Sequence, residues 1–314
     1  MDPLNSAIER LVEKARRQYS YSDMAGATET LREALSIDPA NSFLHSYLAI
    51  GLIGMKRLVA AQYEARAGLE HDPESPFAHY ALGQVLCAKM RPKEALAHFH
   101  QSLELDPEPD NGACHLALAR AYSMLSLRDK AGNALERALE LDPEDPDTLA
   151  AMARWHLEGG DRRRARQYLR EALQVEPQHQ QSLVLMGQVL LAEGETDEAY
   201  DHAIWALQQD SSDEQALYLL SSVKARRNPL FGLWFRANSW LVSGGNSRTI
   251  LILVVGFLLF QLTSQVLDDT GHGQWSSLVH YGWLAIVLYS WVGPAWFQRR
   301  VNEELKTVSL KPGY

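Results

Sequence analysis

Residues 115–143, HLALARAYSMLSLRDKAGNALERALELDP, decide the architecture, because everything before Arg227 repeats them. Aligned on the acid near the end of this stretch, the chain shows Asp38-Pro39, Asp72-Pro73, Asp106-Pro107, Asp142-Pro143 and Glu176-Pro177, then Asp210-Ser211. The steps are 34, 34, 36, 34 and 34 residues. A fixed period of this length marks a stacked array in which no unit can bury its apolar face alone. Small residues fall where two antiparallel helices must approach closely: Ala119 on the first helix, Ala131 and Ala138 on the second, with Tyr122 and Leu135 as large partners. The same columns hold Gly83, Ala95, Phe99 and Ser102, then Ala153, Ala165, Leu169 and Ala172, then Gly187, Ala199, Ala203 and Ala206.

Over roughly residues 8–226 these columns resemble the tetratricopeptide repeat (TPR) pattern of Leu-Gly, Tyr, Ala, Phe, Ala and Pro. The resemblance implies an all-α, TPR-type α-solenoid over residues 1–227, with about six helix pairs and a capping helix opened by Ser212 and Asp213. That last helix carries Ala216, Leu217, Leu220 and Val223 on one face, and Asn228-Pro229 stops it. Two departures stand out. Lys14 and Gln18 occupy columns that are usually apolar, as suits a terminal repeat with a solvated face. Pro107-Glu108-Pro109 lengthens one turn by two residues, as a longer loop or as a hinge.

The net charge of −9 is unevenly spread. Residues 1–224 carry 22 Lys and Arg against 35 Asp and Glu, whereas residues 225–314 carry 8 against 4. An acidic array argues against nucleic acid, whose phosphates need a dense Lys/Arg surface. The two cysteines, Cys87 and Cys114, match no metal or redox spacing and read as reduced thiols. The N-terminal MDPLNSAIERLVEKARR lacks a secretory apolar core, so the array is expected to stay in the cytoplasm.

Beyond residue 227 the composition changes. Residues 228–247 form a juxtamembrane segment in which Trp234 and Trp240 flank Arg236, the pattern of an amphipathic helix in the headgroup layer or of a helix packed on the last repeat. Thr249–Leu267 is uncharged over 19 residues, 13 of them Ile, Leu, Val or Phe, enough to cross a hydrocarbon core of about 30 Å. A second apolar run, Leu278–Phe297, stands among Trp275, Trp283, Trp291 and Trp296 and ends at Arg299-Arg300. Residues 248–300 are therefore expected to form a transmembrane hairpin with a short outer loop, and 301–314 a cytoplasmic tail. Basic residues flank both outer ends and the loop has none, which places both termini on the cytoplasmic side. The layout is similar to that of uncharacterised bacterial membrane TPR proteins, which implies the inner membrane of a bacterium.

The sequence carries no HExxH zinc helix, GxSxG elbow or GxxxxGK loop. His98 and His100 stand two apart, and such spacing points them away from one another on a helix. His272 and His280 are too few to hold a metal. The acids Glu136, Glu140, Glu144 and Asp145 read as solvated faces and caps. The expectation is a binder and not an enzyme, with no cofactor and no metal.

In a TPR array the resemblance assigns partner contact to the second, fifth, ninth and twelfth positions of each first helix. Those columns include Arg16 and Tyr19, Phe43 and Ile50, Phe77, Tyr80 and Gln84, Arg120, Asp147, Arg154, and Gln188. The groove is expected to take an apolar or aromatic protein segment along Tyr19, Ile50, Phe77 and Tyr80, with an acidic group held by the planar guanidinium forks of Arg120 and Arg154. The alternative is that these aromatics pack between repeats. The expected function is a membrane-anchored scaffold or adaptor that also contacts lipid. The rival is a homo-oligomer that shapes or gates the bilayer, using the small residues Gly282, Ala285, Ser290, Gly293 and Ala295.

Overall fold

The computed structural model describes residues 3–21, 23–106, 112–211, 213–227, 245–270 and 281, with side chains of the last long helix described from Gly256. Among them are fourteen helices and no strand. Six pairs succeed one another: α1 (Pro3–Ser20) with α2 (Met24–Ile37), α3 (Ser42–Gly54) with α4 (Leu58–His71), α5 (Pro76–Ala88) with α6 (Pro92–Leu105), α7 (Gly112–Met124) with α8 (Arg128–Leu141), α9 (Pro146–Glu158) with α10 (Arg162–Val175), and α11 (Gln180–Glu193) with α12 (Thr196–Gln209). The capping helix is α13 (Glu214–Arg227), and α14 spans Gly245–Asp269.

The turns show why the acidic-Pro motif sets the period. Asp38, Asp72, Asp106 and Asp142 each cap the C-terminus of a second helix, the backbone N–H donating to the carbonyl four residues back. The carboxylates of Asp72 and Asp142 accept the N–H of Glu74 and Glu144, and the proline forbids a further helical turn. The next first helix is then capped by Asn41, Ser75 or Asp145, whose side chains accept the N–H of Leu44, Ala78 and Thr148.

In the second to sixth pairs the first helix ends in one left-handed residue: Lys56, Met90, Ser126, Gly160 and Gly194, with φ of 58°, 59°, 58°, 82° and 94°. The following N–H reaches back to the carbonyl of Leu52, Leu86, Tyr122, His156 and Leu190 respectively, which closes the same C-terminal cap five times.

The chain divides into two compact units, Met1–Glu171 and Ala172–Tyr314. In the first, the core is a file of alanines and leucines around the fully buried Phe99. The close approach expected at the small columns is present. A Cβ on Gly83 would stand 2.4 Å from Phe99 Cε1, and one on Gly132 would stand 2.9 Å from Trp155 Cζ2. Ala119, Ala131, Leu135 and Ala138 are buried, with Tyr122 partly so. Gln18 does not simply face solvent; it accepts a hydrogen bond from Thr30 of α2 at 2.8 Å, and Ala15 beside it is fully buried.

In the second unit, a Cβ on Gly187 would approach Leu219 Cδ2 to 2.4 Å. Leu219 is buried together with Ala216, Leu220 and Val223, so the buried face of α13 is rotated from the one expected, and Leu217 is only partly covered. Asp213 opens α13 by accepting the Ala216 N–H at 2.6 Å. Its other end is clamped: Arg226 donates to the Leu191 carbonyl at 2.6 Å, and Arg227 pairs with Asp197 while lying 4.6 Å over the Tyr200 ring.

Among the described residues, no helix is long and apolar enough to cross a membrane. The α14 backbone is continuous through 249–267, the first expected span. From Gly256 onward it leaves Phe257, Leu258, Leu259, Leu262 and Val266 exposed. Pro107–Pro109, the juxtamembrane segment with Trp234, Arg236 and Trp240, and the second expected span with Trp275, Trp283, Trp291, Trp296, Arg299 and Arg300 lie outside the described residues.

Candidate partner-binding groove

The first helices of the first unit bring most of the expected residues into one line. Ring centroids follow at 5.0 Å from Tyr19 to Tyr47, 5.6 Å from Tyr47 to Phe43, 5.1 Å from Phe43 to Phe77, and 6.2 Å from Phe77 to Tyr80. These separations suit tilted and offset aromatic pairs. The aromatics therefore do pack on one another, but they are not sealed: Phe43 is 43% exposed, and Tyr19, Tyr47, Phe77 and Tyr80 are half-buried. Tyr47 is the link the column rule missed. Its spacing of four from Phe43 on a helix puts both rings on one face, and that signal was available in the sequence.

Hydrogen bonds hold the ladder in place. Tyr19 Oη donates to the Tyr47 carbonyl at 3.4 Å, and Gln84 Nε2 donates to Tyr80 Oη at 2.7 Å. Burial pushes the Tyr19, Tyr47 and Tyr80 phenols above their ordinary range, while Arg16 beside Tyr47 and Gln84 beside Tyr80 pull the other way. All three stay neutral. Burial likewise pushes the Cys87 and Cys114 thiols up to about 11, so neither is a reactive thiolate near neutral pH, and both are free.

At the Tyr80 end the ladder opens into a cavity of about 310 Å³ walled by Tyr80, Gln84, Ala113, Leu116, Arg120, Asp142, Asp145, Asp147 and Thr148, among others. The residues come from α5, α7, α9 and the turn before α9, so three successive repeats contribute. The structure changes the electrostatic half of the expectation. Arg120 Nη2 already lies 3.0 Å from Asp147 Oδ1, the acid in the second position of the next first helix. Arg154 is not in the cavity wall; it is half-buried, and its Nε has no hydrogen-bond partner among the described residues. The two arginines do not converge on one anion site there. Arg16 is exposed at 3.8 Å from Glu13, Ile50 is half-buried, and Gln188 is exposed in the second unit.

His98 and His100 do point apart, and each finds a partner on another helix, His98 within its own pair and His100 on the first helix of the next. His98 Nδ1 lies 3.1 Å from His79 Nδ1, and His100 Nε2 lies 3.0 Å from Tyr122 Oη. No group of three or more His, Cys, Asp or Glu side chains that could hold a metal occurs among the described residues.

The model of the tetratricopeptide repeat matches residues 75–144, and that of the cilia and flagella-associated protein 70 middle TPR-like domain matches residues 115–238. The chain carries a TPR fold. The TPR helix pairs superpose on PilW, described as a widely conserved type IV pilus biogenesis factor, with a TM-score of 0.53 and 23% identity over 68% of this chain and 98% of that one. A thermophilic TPR protein of Thermus thermophilus aligns with a TM-score of 0.54 and 20% identity, covering 59% of this chain and 100% of its own. A TPR protein from Parabacteroides merdae gives 0.57 and 19%, covering 71% and 86%. At such identities the likeness speaks for the TPR fold alone. Among curated proteins, none matches the chain in sequence.

Proposed function

We propose that this protein is a membrane-anchored TPR scaffold that holds a protein segment on the first-helix face of its N-terminal unit and retains it at the cytoplasmic side of a membrane. The observation that carries the binding half is the partly exposed ladder from Tyr19 to Tyr80 running into the cavity at Arg120 and Asp147. A line of rings left partly open to solvent offers apolar surface for a partner to cover. The anchoring half is supported by the uncharged run 249–267, by the exposed Phe257, Leu258, Leu259, Leu262 and Val266, and by the basic residues on either side of the apolar C-terminal runs. Tethering adds effective concentration, so a weak groove suffices. The resemblance of the layout to bacterial membrane TPR proteins makes a bacterial inner membrane the compartment to test.

Two measurements test the two halves. Alkaline carbonate washing of membranes leaves the full chain in the pellet, and Leu258→Lys with Leu262→Lys releases it, each charge costing about 2.5–3.5 kcal/mol at mid-bilayer. Release of the unaltered chain sinks the anchoring half. For the groove, co-purification from solubilised membranes is compared between the unaltered chain and Phe43→Ala/Tyr80→Ala. Loss of particular proteins from the variant identifies what is recruited. Identical recovery, or recovery of the chain alone as a discrete oligomer, moves the reading to self-assembly.

A further inference from the structure

The charge on the cavity wall sets what chemistry the occupant brings. Four charged side chains face it, and only Arg120 is cationic; Asp142, Asp145 and Asp147 are carboxylates. Arg120 is spent on Asp147 at 3.0 Å. Asp142 and Asp145 are fixed by backbone N–H groups, Asp142 accepting from Glu144 at 3.2 Å and Asp145 from Asp147 at 3.4 Å and Thr148 at 2.9 Å. Those contacts orient the carboxylates without removing their charge, and neither meets a cation among the described residues. The surrounding array has the same sign, with 35 acids against 22 bases over residues 1–224. Tyr80, the last and partly buried ring of the ladder, lines the same cavity as the carboxylates, and an aromatic ring is a second attractor for a cation.

We propose that the cavity and ladder together receive an extended partner segment in which a Lys or Arg lies next to an aromatic or branched apolar residue. The cation enters between Tyr80 and the carboxylates of Asp142 and Asp145, and the apolar neighbour covers Phe77 and Phe43. This rests on the groove reading above and reverses the sign of the partner that the arginine columns alone suggested. An acidic segment meets like charge at this point, which disfavours it without any steric clash.

The purified full chain is probed on arrayed short peptides of equal aromatic content, one set carrying only Lys and Arg as charges and the other only Asp and Glu. The expected result is retention on the basic aromatic set at least about tenfold above the acidic set, falling with added salt. Asp142→Asn/Asp147→Asn, which removes two acids and frees Arg120, is expected to abolish that preference; Arg154→Gln is expected to leave it. Unaltered thermal unfolding of each variant shows that the repeat is intact. Stronger retention on the acidic set, or a basic preference that Asp142→Asn/Asp147→Asn leaves unchanged, overturns the proposal while leaving the groove in place. Equal failure of both sets, with no difference between the unaltered chain and Phe43→Ala/Tyr80→Ala, overturns the groove reading as well.

Discussion

At the scale of single residues, the left-handed position that ends each first helix of the second to sixth pairs is the repeated point of cost. Lys56, Met90 and Ser126 adopt it with a side chain, whereas Gly160 and Gly194 adopt it freely. Met90 is 76% exposed, so removing its side chain loses little packing. Met90→Gly is expected to stabilise the protein by about 0.5–1 kcal/mol, the relief of left-handed strain exceeding the added chain entropy. Met90→Val is expected to destabilise by about 1–2 kcal/mol; urea midpoints at unchanged m-value check both. The sequence hides this position because two repeats show glycine there and three do not. The terminal Schellman hydrogen bonds, not residue type, hold it. The Arg120–Asp147 pair belongs to the same scale. Both side chains are about half exposed, and Arg120→Ala should change stability by less than about 1 kcal/mol.

At the scale of elements, a repeat stands or falls on how closely its two helices meet. Phe99 of α6 fills the space left by the absent side chain of Gly83 on α5. Phe99→Ala is expected to cost about 3–5 kcal/mol. Gly83→Val, which drives methyl groups into that ring, is expected to cost at least about 1–3 kcal/mol, read by thermal unfolding. The α5–α6 pair also carries a pH response. His79 Nε2 lies 3.1 Å from the Pro73 carbonyl, and its Nδ1 meets His98 Nδ1, a contact with room for one proton. Burial, then the neighbouring His79, lowers the affinity of His98 for a proton, and burial first also lowers that of His115 and His156. Groups whose folded pKa is depressed contribute stability above their unfolded value and lose it as pH falls. Stability is therefore expected to decline as pH drops from about 6.5, the ordinary histidine value, towards the lower folded values. His98→Gln should flatten part of that decline in denaturant titrations run across this window. A slope of the opposite sign would count against the His79–His98 assignment. None of this was legible in the spacing of His98 and His100. Their partners lie on other helices, 19 and 22 residues away.

At the scale of the whole molecule, the repeats are coupled chiefly to their neighbours, so damage should be local. In Phe99→Ala, amide exchange is expected to accelerate most in α5, α6 and α7 and least in α1 and α2; uniform acceleration across the first unit would show that it unfolds as one body. The sequence by itself determined the period, the six helix pairs, the capping helix and the columns of small residues. Each of these follows from spacing along one chain: Asp-Pro stops a helix locally, and a glycine or alanine every repeat is required wherever two backbones approach. It also placed an uncharged apolar run at 249–267, whose length is a property of composition. What only the tertiary structure decided is the content of the groove. The spacing of four puts Tyr47 on the face of Phe43, but its contact with Tyr19 is made across helices, 5.0 Å between ring centroids. Arg120 is neutralised because Asp147 on the next first helix lies within hydrogen-bond reach. The sign of a binding surface depends on which charges are already paired across helices, and no column of a repeat alignment carries that information.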